Sequence, residues 1–320
     1  MRASLITSLA LLVFPAFGLG CIDDLELPQV VIDTRPLGAR MEIAGDPGRA
    51  WPVSGDTGTL TWLVVDPTES TPRGWGFVVC PAMSLPTGLK ICSAQPTQVI
   101  LQETPTLDPA VITIPFTEAD YAGVDDVLIQ GVFCPDGSPV VDLVTPDVTC
   151  TGVTEPRQLV TYTVRIARGD LVPNHNPTIA ADALTFEGAP WEEATTVPPE
   201  TGCAAMAGTP SLPLFSRGTA EDPAEAIITV TGDQDDREEY PVGDATRQED
   251  LVFAHYATVG EPARQFSVID EVETVAELKW AMPVEASEIA ADGTLARWWI
   301  TVIDQRGGTD WTRRFACVVP

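Results

Sequence analysis
From residue 59 to the C-terminus the sequence is a succession of short runs of Val, Ile, Thr and aromatic residues, each cut off within a few positions by Pro, Gly, Asp or Asn. β-Branched and aromatic side chains suit a pleated, half-buried surface, and the interrupting residues supply turn geometry. A chain broken this often cannot sustain the three or more turns of a packed helix, which leaves antiparallel sheet. In the N-terminal half the expected strands are 30–33, 59–65, 75–80, 98–101, 111–114, 127–134 and 159–166, with turns such as Asp66-Pro67, Pro86-Thr87-Gly88 and Pro135-Asp136-Gly137. In the C-terminal half they are 179–186, 227–231, 251–256, 277–282, 296–304 and 311–319, the last two forming a hairpin around Gln305-Arg306-Gly307-Gly308-Thr309. Only 117–123 and 283–291 look briefly helical. The expected fold is all-β, with one sandwich at 29–169, a polar linker at 170–178 and a second sandwich at 179–320.

The N-terminus has a different character. One charge, Arg2, precedes the apolar run 5–14 and a small-residue segment ending at Cys21, the pattern of a secretory signal over 1–20. The sequence Phe17-Gly18-Leu19-Gly20-Cys21 resembles the lipobox of bacterial lipoproteins, in which a small residue precedes a cysteine that becomes diacylated and N-terminal. Gly20 and Cys21 match it, whereas Gly18 stands where leucine is usual. The resemblance implies a lipid on Cys21 and a short tether over 21–28. Ordinary cleavage after Gly18, with Ala16 and Gly18 as the small residues, is the alternative. Ile22 follows Cys21, so the aspartate that often retains lipoproteins in the inner membrane is absent there, and outer-membrane residence is expected. No later stretch reaches the roughly 18 apolar residues of a membrane-spanning helix.

Seven cysteines occur in all, and a lipid on Cys21 leaves six: Cys80, Cys92, Cys134, Cys150, Cys203 and Cys317. An even number in an oxidising compartment reads as a disulfide framework. Order and spacing favour Cys80 with Cys92, Cys134 with Cys150, and Cys203 with Cys317, among the connectivities that six cysteines allow. No Cys pair has the tight spacing of a zinc site, so no metal is expected.

With 46 acidic against 18 basic residues the net charge is −28, which repels nucleic acid and anionic lipid surfaces and removes nucleic acid from the expected partners. No nucleophile elbow, zinc-protease helix, phosphate loop or dinucleotide fingerprint occurs, so neither a catalytic residue nor a cofactor is assigned. Of the two histidines, His175 falls in the linker and His255 shares a strand face with Leu251, Phe253 and Ala257, which reads as a half-buried sandwich residue. The acidic groups Asp125-Asp126, Glu192-Glu193 and Asp233 to Glu239 read as solvated surface; a carboxylate pair serving a hydrolase is the competing possibility. Adjacent Trp298 and Trp299 point to opposite faces of a strand, one in the core and the other half exposed or loop-covered. Trp191, Trp280 and Trp311 read as core rather than as a shared patch, and the Arg313-Arg314 pair as partners of nearby acids.

The strand with Trp75 and Cys80, the strand 127–134 before Asp136-Gly137, the joint Asn174-His175-Asn176-Pro177 and the closing stretch 298–319 resemble tandem immunoglobulin-like sandwiches. These are the cadherin-, PKD- and fibronectin-like modules of bacterial surface proteins, paired in some envelope lipoproteins of Gram-negative bacteria. The resemblance implies a non-catalytic, lipid-anchored protein that displays its modules to another envelope protein, a glycan or another cell. The Asn-rich joint also resembles the calcium-stiffened linkers of cadherin repeats, although the companion acidic motifs are missing.

Overall fold
The computed structural model describes residues 27–320 except 136, 143–144, 153–156, 220 and 284. The signal segment and Cys21 therefore lie outside the described residues. The fold is all-β, two β-sandwiches in sequence order. The first contains β1 (Arg35–Ile43), β2 (Thr57–Val65), β3 (Arg73–Ser84), β4 (Lys90–Cys92), β5 (Gln98–Thr106), β6 (Val111–Pro115), β7 (Asp126–Cys134), β8 (Ser138–Asp142), β9 (Asp147–Thr151) and β10 (Gln158–Arg165). A one-turn helix α1 (Glu118–Tyr121) lies between β6 and β7, its first turn capped by the Thr117 hydroxyl. The second contains β11 (Leu184–Phe186), β12 (Ala189–Pro190), β13 (Leu214–Ser216), β14 (Glu225–Thr231), β15 (Glu239–Val242), β16 (Ala245–Gln248), β17 (Leu251–Ala257), β18 (Glu261–Pro262), β19 (Phe266–Ile269), β20 (Val275–Ala281), β21 (Thr294–Ile303) and β22 (Thr309–Val319).

In the first sandwich the sheet β1-β2-β6 packs on the sheet β10-β7-β3, to whose β3 edge β4 and β5 also pair. Trp62 from β2 stacks on Phe77 from β3, ring centres 5.5 Å apart, and meets Phe133 from β7 edge-on at 6.0 Å, the offset and T-shaped geometries aromatic quadrupoles favour. The middle of the larger sheet's far face, over β3 and β7, is not open to water. The β8–β9 hairpin lies across it, burying Val78, Val132 and Val148, and the disulfide Cys134–Cys150 ties the hairpin to β7. Close contact needs a residue without a Cβ: an atom added at Gly76 would meet Pro139 of the hairpin at 2.8 Å. With both faces covered, β3 is buried at nine consecutive positions and loses the alternation of a half-exposed strand.

In the second sandwich the sheet β12-β11-β14-β20-β18 faces the sheet β13-β22-β21-β17-β19. Three indoles fill the centre: Trp280 and Trp298 meet edge-to-face at 5.2 Å, and Trp191 meets Trp298 at 6.0 Å. The outer face of β21 and β22 is again covered. One part, with Leu295, Phe315 and Cys317, lies under a segment pinned by the disulfide Cys203–Cys317. The other part, with Trp299, lies under the first sandwich. The third bridge, Cys80–Cys92, joins β3 to β4, so the bridges are those that order and spacing favour.

Several expectations change. Trp299 is not half exposed but fully packed, because Val31 of the N-terminal segment and Val65 of the first sandwich close over it together with Ala254 and Tyr256 of β17. Residues 30–33 do not join a sheet of the first sandwich. Val30 instead bridges Ala257 of β17, the Val31 N–H donates to the Ala257 carbonyl at 2.8 Å, and the Ala257 N–H donates to the Gln29 carbonyl at 3.0 Å. The chain thus crosses the second sandwich before it enters the first. The polar linker is a bolt between the sandwiches, with Asn174 and Asn176 buried. Asn176 donates to the Met41 carbonyl at 2.7 Å and accepts from the Thr309 N–H at 3.0 Å, holding one sandwich with each end of its amide. Arg314 does not pair with an acid in a hydrogen bond; it is buried and donates to the Trp191 carbonyl at 2.8 Å.

Candidate functional site
The seam between the sandwiches is built from polar bonds around the Trp299 contact. Asp66 accepts the N–H groups of Thr68 and Ser70, which shapes a loop that holds Glu69 at φ 53°. That loop offers the Glu69 carboxylate to Arg313 of β22 at 2.6 and 2.8 Å. Arg40 of β1 pairs with Asp310 of β22, and Arg297 of β21 donates to the Pro67 carbonyl at 2.7 Å. At the other end of the seam Asp304 takes the N–H groups of Arg306, Gly307 and Gly308 on one oxygen and the Asn174 amide on the other. Burial raises the Asp304 carboxyl above its ordinary range even against those four donors. Asp304 thereby fixes the β21–β22 turn, from which the Gly307 carbonyl accepts the Tyr162 hydroxyl at 3.1 Å and the Arg306 carbonyl accepts the Trp51 indole N–H at 3.0 Å.

This fixed turn forms one wall of a groove of about 430 Å³. The first sandwich contributes Trp51, Lys90, Asp126 and Arg165, the linker Leu171 and Val172, and the second sandwich Tyr240 and Arg306. The Arg306 guanidinium lies 5.2 Å from the centres of both the Trp51 and Tyr240 rings, and that of Arg165 lies 5.7 Å from the Trp51 ring, all within cation–π range. Behind the groove Arg306 pairs with Glu238 and Glu249. Burial pushes the Glu249 carboxyl up to about 7, although Arg306 opposes that rise. At the opposite wall burial would raise Asp126, but hydrogen bonds from Lys90 and Arg165 hold it below the ordinary carboxylate range. Arg165 gives only its Nε to Asp126, at 3.1 Å. Among the described residues its Nη1 and Nη2 have no hydrogen bond, and its side chain is 46% exposed. It therefore presents an open two-pronged donor, the shape that matches a carboxylate or a similar anion.

The groups that the sequence singled out fall in different places. His175 is half exposed, bonded to Glu238 through Nδ1, at the rear of the groove. His255 is far from solvent, its Nε2 2.9 Å from the Ser267 hydroxyl, and burial lowers its pKa to about 4. Asp126 and Glu238 belong to ion pairs, while Asp233 and Asp236 accept backbone N–H groups. Trp191 and Trp280 are core, whereas Trp311 is half-buried at the seam. The Asn174 and Asn176 side-chain N–H groups donate to Asp304 and to the Met41 carbonyl, and Asn176 Oδ1 accepts from the Thr309 N–H, whereas the buried Asn174 Oδ1 has no hydrogen-bond partner among the described residues. Among the described residues no group of three or more His, Cys, Asp or Glu is arranged to hold a metal ion. The groove residues Trp51, Arg165, Tyr240 and Arg306 carry no motif in the sequence. Only the joining of two sandwiches brings them together.

No protein-family model matches the chain, and no curated protein matches it.

Proposed function
We propose that this chain is a non-catalytic binding protein of the cell envelope, anchored in the outer membrane through a lipid on Cys21. Its two sandwiches act as one body that offers the seam groove to an envelope protein or a glycan. The observation that carries this reading is the make-up of the groove. In a chain of net charge −28, three cations (Lys90, Arg165 and Arg306) and two aromatic rings converge on one cavity against a single lining acid, Asp126. Concave sites at domain junctions with a few convergent polar groups are where ligands usually bind. The Tyr240 hydroxyl there bonds the Gln305 side chain at 3.1 Å, which holds its ring over Arg306 at the groove wall. No helix of the described residues is long and apolar enough to cross a membrane.

The test is to probe glycan arrays and immobilised envelope extracts with the mature protein beside its Arg165→Glu and Tyr240→Ala variants. Loss of a charge-assisted hydrogen bond weakens binding by about tenfold or more, so Arg165→Glu is expected to lose a wild-type signal by at least that factor. A signal that both variants retain would remove the groove from the function. Hydrolysis of any probe, abolished by Asp126→Asn, would make the protein an enzyme instead.

A further inference from the structure
The chain enters the described structure at Leu27, on the second sandwich, and is clamped there before it turns to the first. Gln29 is buried, with its amide 3.3 Å from the Pro262 carbonyl, and the backbone of Gln29 and Val31 brackets Ala257. Beside this entry lies an open groove of about 660 Å³, lined by Leu27, Val30, Ile32, Val259, Met282 and Pro283 among others. Ile32 is 52% exposed and Leu27 38%, so apolar side chains face solvent at this pole. Among the described residues the charged side chains that line it are Glu261 and Glu288.

The position of the pole is set by strand direction. β17 runs from Leu251, which pairs with Ile269, to Ala257, which pairs with Trp298 and bridges Val30. The β21–β22 turn that walls the seam groove follows Ile303, which pairs with Val252 at the first end. The entry point and the seam groove are thus at opposite ends of β17, whose six steps span about 20 Å at ~3.3 Å per residue. Six residue steps also separate Cys21 from Leu27, a reach of at most about 20 Å. A lipid on Cys21 would consequently hold the bilayer within that reach of the apolar pole.

We infer that the apolar pole around Leu27 and Ile32 is a membrane-contact surface, seated on the bilayer that holds the Cys21 lipid, so that the seam groove points away from that membrane. The inference rests on the lipid anchor of the proposed function and adds the orientation of the body. Apolar side chains at a lipid interface gain by leaving water, and the few rim carboxylates suit zwitterionic rather than anionic headgroups.

The experiment is carboxylate footprinting read by mass spectrometry on the native mature protein, in zwitterionic phospholipid vesicles and in detergent micelles. Intact mass of the same sample reports the state of Cys21, and size-exclusion chromatography reports the oligomer. The expected result is a diacylglyceryl Cys21 with loss of labelling at Glu261 and Glu288 in vesicles only, while Glu239 and Asp244 beside the seam groove label as in micelles. In the Leu27→Asp/Ile32→Asp variant, still lipidated, labelling at Glu261 and Glu288 returns; both positions are exposed, so the fold should tolerate the change. A lipidated protein whose pole labels equally in vesicles and micelles would overturn the orientation and leave the anchor standing. An unmodified Cys21 would overturn both. Protection at the pole that persists in micelles in a dimeric fraction would assign that surface to a second copy of the chain and overturn the membrane contact.

Discussion

At the scale of the residue, His255 shows how a neighbour distant in sequence sets a side chain's chemistry. Its strand face alternates toward the core with Leu251, Phe253 and Ala257, but the half-burial expected from that pattern becomes complete because β19 pairs alongside and brings Ser267 to the imidazole. Burial, with a smaller contribution from Arg264, lowers the pKa from the ordinary 6.5 to about 4. The folded state therefore binds fewer protons than the unfolded state between these values, and stability falls as pH drops from about 6.5 toward 4. Glu249, raised to about 7, contributes a slope of the opposite sign over the same range, so the His255 loss is read as the difference between wild type and a His255 variant in urea titrations at pH 7 and pH 5. In His255→Leu/Ser267→Ala, which removes the titrating group and its partner together, the part of the slope due to this residue disappears; an unchanged slope would assign the acid sensitivity elsewhere.

At the scale of the element, the informative feature is strands buried on both faces. A sandwich strand ordinarily alternates, yet β3 and β21 are buried at nine and eight consecutive positions because a hairpin or a loop lies over their outer faces. Two disulfides hold those covers in place, and the model of unfolded-chain restriction gives about 3 kcal/mol for a loop of Cys134–Cys150 size and nearer 5 for Cys203–Cys317, with separations of 16 and 114 residues. Cys134→Ala/Cys150→Ala is accordingly expected to cost about 3 kcal/mol in urea unfolding and to increase hydrogen exchange along β8 and β9 first. Exchange that rises evenly through the first sandwich would mean that the hairpin is held by packing alone. The sequence showed the long apolar strands well. It hid β1, whose Pro36, Gly38 and Arg40 argue against a strand until β2 pairs with it and Asp310 takes the arginine. It also hid β8 and β9, which gain their burial only by lying on a sheet already formed.

At the scale of the whole molecule, the two sandwiches share a packed contact rather than a flexible joint. Trp299 sits between Val31 and Val65 on one side and Tyr256 on the other, with ion pairs of Arg40 and Arg313 around it. Truncating a buried tryptophan costs about 3–5 kcal/mol, and here the loss falls on the seam. Calorimetry is expected to give one transition for the wild type and two for Trp299→Ala, as the sandwiches uncouple; a single transition lowered in temperature would place the contact inside one cooperative core. The same rigidity gives the seam groove its fixed shape, and the N-terminal strap across β17 sets where the chain enters the body.

The sequence by itself determined the all-β class, because runs of branched and aromatic residues interrupted every few positions leave no other regular structure. It also favoured the pairing of six cysteines, because their order and spacing match loops of closable length. Both are properties of residues near one another in the chain, or of simple counting. Tertiary structure alone decided what covers the outer faces, where Trp299 goes, that the Asn-rich linker is a bolt, and that Trp51, Arg165, Tyr240 and Arg306 meet. Each of those depends on which surfaces dock, and docking is set by summed shape and charge over residues as far apart as Glu69 and Arg313, for which no local pattern exists.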